Sequence, residues 1–399
     1  MSRLVHVLLA FVIFVGFVFL LDKSTRSEIS SGVIKDKQNE TEVYMQTKSV
    51  YPNFLTVNTP LVSIKVCVPN TDKCQIIDDV MLDTGSYGLY LFSSKVQGSL
   101  SVDLPNYYHN NNKLYQCSVF GSEYHQTTLH VADVYLANKK IYSGAPIGVF
   151  GENENLIKSV CANANEKIKK LGSVNGDSVI TSTDKIQAMG VNGIIGLSLS
   201  NNGDLLDYYK CENNNCILEM SKNVPEMNIN SYSLSMPKIT NVDDADSTVG
   251  KLILDVAKPK NNANCLHAYT DDDFAINYIP ATVGKHKIKM YFDTGTNANS
   301  IDVPTMDYLG VDINPFNGYL MTNKEIKVSV GLKDSKNLNI ALNDYEYLRK
   351  TWKGHVIPSL SGVTTIHGVM FLGMPFFYGK TVSFHKNDSG ADICFLEND

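Results

Sequence analysis

The sequence predicts an all-β fold, and three observations carry that prediction. From Val50 onward, short runs rich in Val, Ile, Tyr and Thr are separated by clusters of Asn, Gly, Asp and Pro. Such spacing is typical of strands joined by many hairpins. Residues 284–290 (GKHKIKM) alternate along the chain as a half-buried strand does. Two apolar segments, residues 80–82 and 290–292, each run into an Asp-Thr-Gly turn, so both turns are predicted to follow strands.

Composition places the chain among ordinary globular proteins. It has 399 residues, 43% of them hydrophobic and 19% charged, which is enough for two domains with sizeable cores. The 35 basic and 41 acidic side chains give a net charge of −6. This balance is too mild to indicate a nucleic-acid partner.

The N-terminus has the pattern of a secretory signal peptide or a short membrane anchor. Residues 7–21 are an unbroken apolar run, preceded by Arg3 and followed by Asp22 and Lys23. No small-x-small cleavage site follows Leu21, so residues 1–21 are interpreted as an uncleaved anchor with the body exported. A cleaved signal and a secreted body remain the alternative.

Residues 22–48 are polar and lack an apolar period, so they are predicted to be a tether between the N-terminal segment and the body. A short inhibitory prosegment is the competing interpretation, since Lys35 or Lys37 would be available to pair with carboxylates.

The two Asp-Thr-Gly turns are the strongest functional signal. Asp83 and Asp293 stand 210 positions apart (293 − 83), each after apolar residues and before a Ser or Thr. If the turns pack together, two carboxyl groups lie within a few ångströms and share one proton. The ionised carboxylate can then accept a proton from water while the protonated carboxyl polarises a substrate carbonyl.

These motifs resemble those of the pepsin-like aspartic endopeptidases. Residues 192–197 (NGIIGL) and 370–377 (MFLGMPFF) are similar to the segments that cross beneath the two aspartate loops. Residues 231–236 and 250–254 look like the strands that pass from one lobe to the other. The resemblance covers residues 49–399, and residues 83–89 with the cysteine spacing are more narrowly similar to a bacterial branch of domain-of-unknown-function type.

The resemblance implies a bilobal, double-ψ β architecture with the active-site cleft between an N-terminal lobe, residues 49–230, and a C-terminal lobe, residues 231–399. Asp83 and Asp293 would be catalytic, and Gly196 and Gly373 would be the loop-crossing glycines. The turns contain six supporting residues: Thr84, Gly85, Ser86, Thr294, Gly295 and Thr296. In that role the threonines after each aspartate bridge the two loops, and Ser86 and Thr296 hydrogen-bond the outer carboxylate oxygens.

Residues 115–124 lie where the family has its flap, a hairpin that closes over bound peptide. The flap candidates are Phe120, Gly121 and Tyr124. The family usually has a tyrosine before the flap glycine, whereas this chain has Phe120. That change removes a hydroxyl, for which Tyr124 is a possible substitute, and it puts substrate positioning in question.

The eight cysteines are interpreted as disulfides, because none forms a Cys-x-x-Cys and no histidine pair has zinc spacing. Cys67–Cys74 and Cys211–Cys216 flank short turn-rich loops. Cys117–Cys161 and Cys265–Cys394 then follow by elimination, one in each lobe. Disulfides agree with an exported body.

The remaining acidic runs, residues 243–246 and 271–273, lack the glycine and distal glutamate of a calcium loop and are interpreted as surface turns. No Gly-x-Ser-x-Gly elbow or phosphate-binding loop occurs. We therefore expect no metal and no cofactor.

The functional prediction is a monomeric aspartic endopeptidase acting on peptides or proteins in the periplasm or at the cell surface. Two alternatives are a pepsin-fold protein that binds peptides or proteins without cleaving them, and a structural peptide receptor at the cell surface.

Overall fold

The computed structural model describes residues 39–46, 57–96, 103–120, 123–151, 160–161, 190–199, 205–212, 215–246, 248–259, 265–271, 276–313, 320–321, 323–331, 336–352, 355–364 and 366–398. The first strand is β1 (Glu40–Gln46). The strands that follow it, called the first half, are β2 (Thr59–Cys67), β3 (Cys74–Asp83), β4 (Tyr87–Phe92), β5 (Tyr108–His109), β6 (Asn112–Phe120), β7 (Glu123–Leu136), β8 (Lys139–Phe150), β9 (Gly193–Leu197), β10 (Leu205–Glu212) and β11 (Asn215–Asn223). A 3-10 helix, Ser93–Lys95, follows β4.

The second half begins after β11. Its strands are β12 (Ser231–Ser235), β13 (Val249–Leu254), β14 (Cys265–Thr270), β15 (Asn277–Val283), β16 (His286–Phe292), β17 (Asn299–Asp302), β18 (Lys324–Val330), β19 (Lys336–Leu342), β20 (Ser361–Thr364), β21 (Val369–Leu372), β22 (Lys380–Asn387) and β23 (Gly390–Glu397). Its helices are α1 (Val242–Asp246), α2 (Val303–Leu309), α3 (Tyr345–Thr351) and α4 (Met374–Phe377). The all-β prediction is confirmed.

Alternation of side chains explains why these segments pair as strands. In β2, the buried Val62, Ile64 and Val66 alternate with the half-buried Ser63 and Lys65. Burying each of these branched side chains contributes about 1.5–3 kcal/mol relative to leaving it exposed. The apolar faces of both halves join one large hydrophobic cluster, which holds the two halves together.

Each half contains the same three-strand arrangement. In the first half, β9 runs parallel to β3, with Val80 opposite Gly193 and Asp83 opposite Gly196, and antiparallel to β4. In the second half, β21 runs parallel to β16 and antiparallel to β17. Both β3 and β16 lead into an Asp-Thr-Gly turn. The predicted bilobal architecture is therefore confirmed.

Strand β1 corrects the prediction that residues 22–48 form a tether. It pairs with β2 on one side and with β13 on the other. Val43 and Met45 are buried in the main core, whereas the intervening Tyr44 is exposed. Residues 40–46 are therefore part of the fold and connect its two halves. Residues 22–38 and 47–48 lie outside the described residues.

The predicted lobe-crossing strands are present as β12 and β13, which pair with each other, while β12 also pairs with β22. The domain boundary at residue 230 stays a prediction. Within the ranges described, no helix is both long enough and apolar enough to cross a membrane. The N-terminal segment, residues 1–21, lies outside those ranges.

Candidate active site

The first aspartate turn is held by its own backbone and by the strand beneath it. Asp83 is the last residue of β3 and only 6% of its surface is exposed. The amide of Gly85 donates to Asp83 Oδ1 at 2.8 Å. The amide of Ser198, just after β9, donates to the carbonyl of Ser86 at 2.9 Å. The carboxyl group is thus fixed by a turn that the crossing strand supports.

The second turn repeats this geometry around a half-buried Asp293. The amide of Gly295 donates to Asp293 Oδ1 at 2.9 Å, and the hydroxyl of Thr296 donates to Oδ2 at 2.6 Å. The amide of Asp293 itself donates to the carbonyl of Leu372 in β21 at 3.0 Å. Both carboxylate oxygens of Asp293 therefore accept hydrogen bonds.

The loop-crossing glycines allow close backbone contact beneath both turns. A Cβ atom on Gly196 would lie 2.3 Å from the backbone nitrogen of Tyr87. A Cβ atom on Gly373 would lie 2.3 Å from the carbonyl oxygen of Ala298. Neither position has room for a side chain, so the placement of both turns depends on glycine.

Threonine hydroxyl groups link the two turns reciprocally. Thr84 Oγ1 donates to the carbonyl of Phe292 at 2.8 Å and accepts from the amide of Thr294 at 3.0 Å. Thr294 Oγ1 donates to the carbonyl of Leu82 at 2.6 Å and accepts from the amide of Thr84 at 3.0 Å. Both side chains are buried, so these bonds are protected from water and fix the turns relative to each other.

The glycines of the turns bring each aspartate close to the opposite turn. A Cβ atom on Gly85 would lie 2.4 Å from Asp293 Oδ1, and one on Gly295 would lie 2.7 Å from Asp83 Cγ. Alanine at either position would occupy the space of a carboxyl group. The structure therefore brings Asp83 and Asp293 together, as the sequence predicts.

Burial raises the pKa of Asp83 well above its ordinary value. The negative charge of Asp293 and a hydrogen bond with it raise this pKa further, while Ser86 and the amide of Gly85 lower it. The raising effects dominate, because a buried carboxyl group beside a second carboxylate is stabilised in its protonated form. Burial and the neighbouring Asp293 therefore favour the protonated form of Asp83.

The two turns differ in their serine and threonine. Thr296 donates to Asp293, as predicted, but the buried hydroxyl of Ser86 makes no hydrogen bond of regular geometry within the described structure. The predicted Ser86 bond to Asp83 is thus replaced by a weaker contact that only lowers the pKa of Asp83. The two carboxyl groups therefore differ in the hydrogen bonds that they accept from their own turns.

Removing the hydroxyl of Thr84 is expected to destabilise the protein. Thr84→Val leaves the buried carbonyl of Phe292 and the buried amide of Thr294 without these partners, at a cost of about 1–3 kcal/mol each. Thr84→Ser keeps the hydroxyl and is expected to lose much less. Urea unfolding of the full-length variants measures both, and equal stability of the valine variant and the wild type would contradict the role of the bridge.

The flap candidates lie on the β6–β7 hairpin. Phe120 ends β6 opposite Glu123, and Tyr124 pairs with Val119 through the backbone. The side chain of Tyr124 and all of Gly121 lie outside the described residues, so the predicted substitution of a Tyr124 hydroxyl stays a prediction.

Tyr90 is a residue of this site that the sequence did not reveal. Its ring lies 5.2 Å from that of Phe120 in an edge-on contact and 5.8 Å from that of Phe150 in a stacked one. Its hydroxyl donates to Gln116 Oε1 at 3.3 Å. Phe120, the flap candidate, therefore packs on a buried tyrosine of β4. Residues 88–92 of this strand are all buried, so no alternation marks Tyr90.

Comparison with protein families shows the family to which the chain belongs. The family described as "Protein of unknown function (DUF3443)" matches residues 35–393. The chain belongs to this family. No curated protein matches this DUF3443 member.

A solved structure with a similar fold is the crystal structure of an aspartic proteinase from Irpex lacteus. The TM-score is 0.51 at 13% sequence identity, over 90% of this chain and 97% of that chain. At this identity the likeness establishes the fold alone, so the DUF3443 member has a pepsin-like fold.

Four disulfides join the same cysteine pairs as the sequence predicts: Cys67–Cys74, Cys117–Cys161, Cys211–Cys216 and Cys265–Cys394. Cys67 and Cys74 are opposite each other in β2 and β3, and Cys265 and Cys394 in β14 and β23. Cys117 lies on β6, three residues before Phe120. Four disulfides are typical of exported proteins.

The interpretation of Asp271 as a surface turn is wrong. This residue is 1% exposed, accepts a hydrogen bond from the hydroxyl of Tyr291 at 2.5 Å and pairs with Lys289 at 2.7 Å. Lys289 also lies over the ring of Tyr278. Among the residues described, no cluster of three or more His, Cys, Asp or Glu is arranged to hold a metal ion.

Proposed function

We propose that this protein is an aspartic endopeptidase that hydrolyses peptide bonds with water activated between Asp83 and Asp293. The observation that carries the proposal is the pair of threonine-bridged turns, which puts two carboxyl groups in direct contact. A raised pKa on one aspartate beside a hydrogen-bonded carboxylate is the arrangement that acid–base hydrolysis requires.

The unequal surroundings of the two aspartates assign their roles. Asp293 accepts from Gly295 and Thr296, so it is the ionised base. Asp83 is more buried and has the raised pKa, so it is the acid. Asp293 takes a proton from water, the water oxygen bonds to the amide carbon, and the carbonyl oxygen takes the proton of Asp83.

The resulting diol breaks down with the roles reversed. Asp83 takes back a proton from one hydroxyl as the carbonyl re-forms, and Asp293 gives its proton to the amide nitrogen as the C–N bond breaks. Both groups end in their starting state. These steps balance without a covalent intermediate.

The proposed substrate is a peptide or an unfolded protein in an extended conformation, covered by the β6–β7 hairpin. The proposed location is outside the cytoplasm, either anchored through residues 1–21 or secreted after cleavage, and the proposed state is a monomer. The four disulfides support export.

A binding protein without catalysis is the second candidate. Phe120 supplies no hydroxyl to the flap, and Ser86 makes no regular hydrogen bond in the described structure. Both features weaken the support of a catalytic water without affecting a peptide-binding groove, so cleavage must be measured directly.

The test uses the full-length protein with its disulfides, in mild detergent, and a reduced and alkylated protein as substrate. Cleavage is followed by mass spectrometry from about pH 3 to about pH 8, beside Asp83→Asn and Asp293→Asn. We expect cleavage that is favoured by acid and is lost in both variants and with a statine-type inhibitor. Cleavage falls at higher pH because Asp83 then loses the proton that polarises the carbonyl.

Two results would overturn the proposal. A folded wild type that binds the inhibitor but cleaves nothing would favour the binding protein. Cleavage that persists unchanged in both variants would exclude the aspartate pair as its source.

A further inference from the structure

Asn58 is a completely buried amide whose hydrogen-bond partners all lie in the second half. Its Nδ2 group donates to the carbonyl of Asn297 at 2.9 Å and to that of Ile357 at 2.8 Å. Its Oδ1 atom accepts from the amide of Ile357 at 2.8 Å and from the hydroxyl of Tyr378 at 3.1 Å. Both amide hydrogens and both lone pairs are used, which is the full capacity of the side chain.

The backbone at Asn58 is also adapted to this position. Its φ angle is 60°, in the left-handed region that asparagine and glycine adopt more readily than other residues. The preceding residue, Val57, is buried in a small cluster with Ala298, Ile357 and Leu360 of the second half. Residues 57–58 are thus inserted into the second half immediately before β2 begins.

The partners of Asn58 surround the second aspartate turn. Asn297 directly follows Thr296, which donates to Asp293. Tyr378 directly follows α4, which itself follows the loop-crossing Gly373. On its other side, Asn58 adjoins β2, the strand paired with β3 that ends at Asp83. Asn58 therefore connects the strand pair that carries Asp83 to the turn that carries Asp293.

We propose that Asn58 is a positioning residue that fixes the Thr296–Asn297 segment and so holds the hydrogen bond from Thr296 to Asp293. This inference rests on the proposed function for its catalytic consequence, although its structural part is independent of activity. When Asn58 is removed, the carbonyl of Asn297 loses this donor. Thr296 is then held by the amide of Met374, which donates to its carbonyl at 3.0 Å, and by its own amide, which donates to the carbonyl of Asp293 at 3.2 Å. With one support fewer, the hydroxyl of Thr296 is held less firmly against Asp293.

Two substitutions test this. Asn58→Gly removes the side chain and tolerates the positive φ angle. Asn58→Asp keeps the acceptor for Ile357 and Tyr378 but loses both amide donors. The matched control is Asn343→Asp, which loses a donor to the carbonyl of Ser359 at 3.2 Å. It disturbs the loop that contains Ile357 but leaves the hydrogen bonds of Asn58 in place.

The first measurement is amide hydrogen exchange on the full-length protein under conditions where every variant is folded. We expect exchange at residues 293–298 to accelerate at least about tenfold in both Asn58 variants and not in the control. Unchanged exchange in this segment, or equal acceleration throughout the molecule, would overturn the proposal.

The second measurement is the kinetics of cleavage. We expect kcat to fall at least about tenfold in both Asn58 variants, with KM little changed. A purely structural role would lower the amount of folded protein without lowering kcat per folded molecule. If the wild type cleaves nothing, the proposed function fails, and hydrogen exchange alone still decides whether Asn58 fixes the turn.

Discussion

Asp83→Asn is expected to abolish cleavage and, at neutral pH, to stabilise the fold. Loss of the acid lowers the rate by about 100- to 10,000-fold, the usual contribution of a positioned proton donor. The gain in stability has a separate cause. The neutral asparagine replaces a buried carboxyl group whose pKa is raised above its unfolded value by burial and by Asp293.

The sign follows from proton linkage. A carboxyl group with a raised folded-state pKa contributes its stabilisation below the unfolded pKa, and this contribution is lost as pH rises through the folded pKa. Wild type therefore loses stability relative to Asp83→Asn as pH increases. The variant is therefore expected to be the more stable protein at neutral pH, and its advantage is expected to shrink toward acidic pH.

Urea unfolding of the full-length wild type and variant at acidic and neutral pH measures this difference. Asp293→Asn is the matched control, because it leaves Asp83 buried but removes the neighbouring charge. The free energy of unfolding of Asp293→Asn should keep part of its pH dependence, because burial is the largest cause of the raised pKa of Asp83. A variant at Asp83 that is less stable than wild type at neutral pH would contradict the buried, protonated state of Asp83.

The sequence predicted the aspartate turns because everything that builds them is local. A strand, an aspartate, a hydroxyl residue and a glycine occupy consecutive positions in both copies, and the crossing segments carry their own apolar-apolar-glycine pattern. The threonine bridges follow once the two copies are paired. Because the two halves repeat the same motif, the contact between the turns can be predicted although Thr84 and Thr294 are 210 residues apart.

Asn58 and Tyr90 could not be predicted in this way. The partners of Asn58 lie 239 to 320 positions away, and no repeat of its local sequence marks the other side of the contact. Tyr90 is buried because β4 pairs with β8 and β9, and that pairing depends on the whole sheet. An isolated asparagine or tyrosine carries no signal of such non-local contacts.

Two errors have related physical causes. The sequence predicts a polar tether where β1 lies, because only Val43 and Met45 of its side chains are buried and its pairing with β13 crosses about half of the chain. Asp271 was assigned to the surface because acidic runs are usually solvated. Its burial depends on Lys289 and Tyr291, both on β16, and a paired charge cannot be recognised from one segment.

Alanine at the loop-crossing glycines is expected to have the largest effect on folding. In Gly196→Ala, the new Cβ atom would lie 2.3–2.4 Å from three backbone atoms of Ser86 and Tyr87. In Gly373→Ala, it would lie 2.3 Å and 2.5 Å from the carbonyl oxygens of Ala298 and Thr296. Backbone atoms cannot rotate away as a side chain does, so the aspartate turn must shift. The cost is expected at the upper end of the range for overpacking, about 3 kcal/mol.

Gly144→Ala and Gly310→Ala are the matched controls for the two halves. Both glycines have a positive φ angle, 56° and 60°, but no atom lies within 4 Å of the added Cβ. Their cost is therefore the conformational strain alone, about 1–2 kcal/mol. Urea unfolding distinguishes the two mechanisms, because the stability lost through steric overlap beneath the aspartate turns is expected to exceed the stability lost through backbone strain. Equal losses in all four variants would mean that the crossing strands yield easily, and the close support that they give to Asp83 and Asp293 would then be wrong.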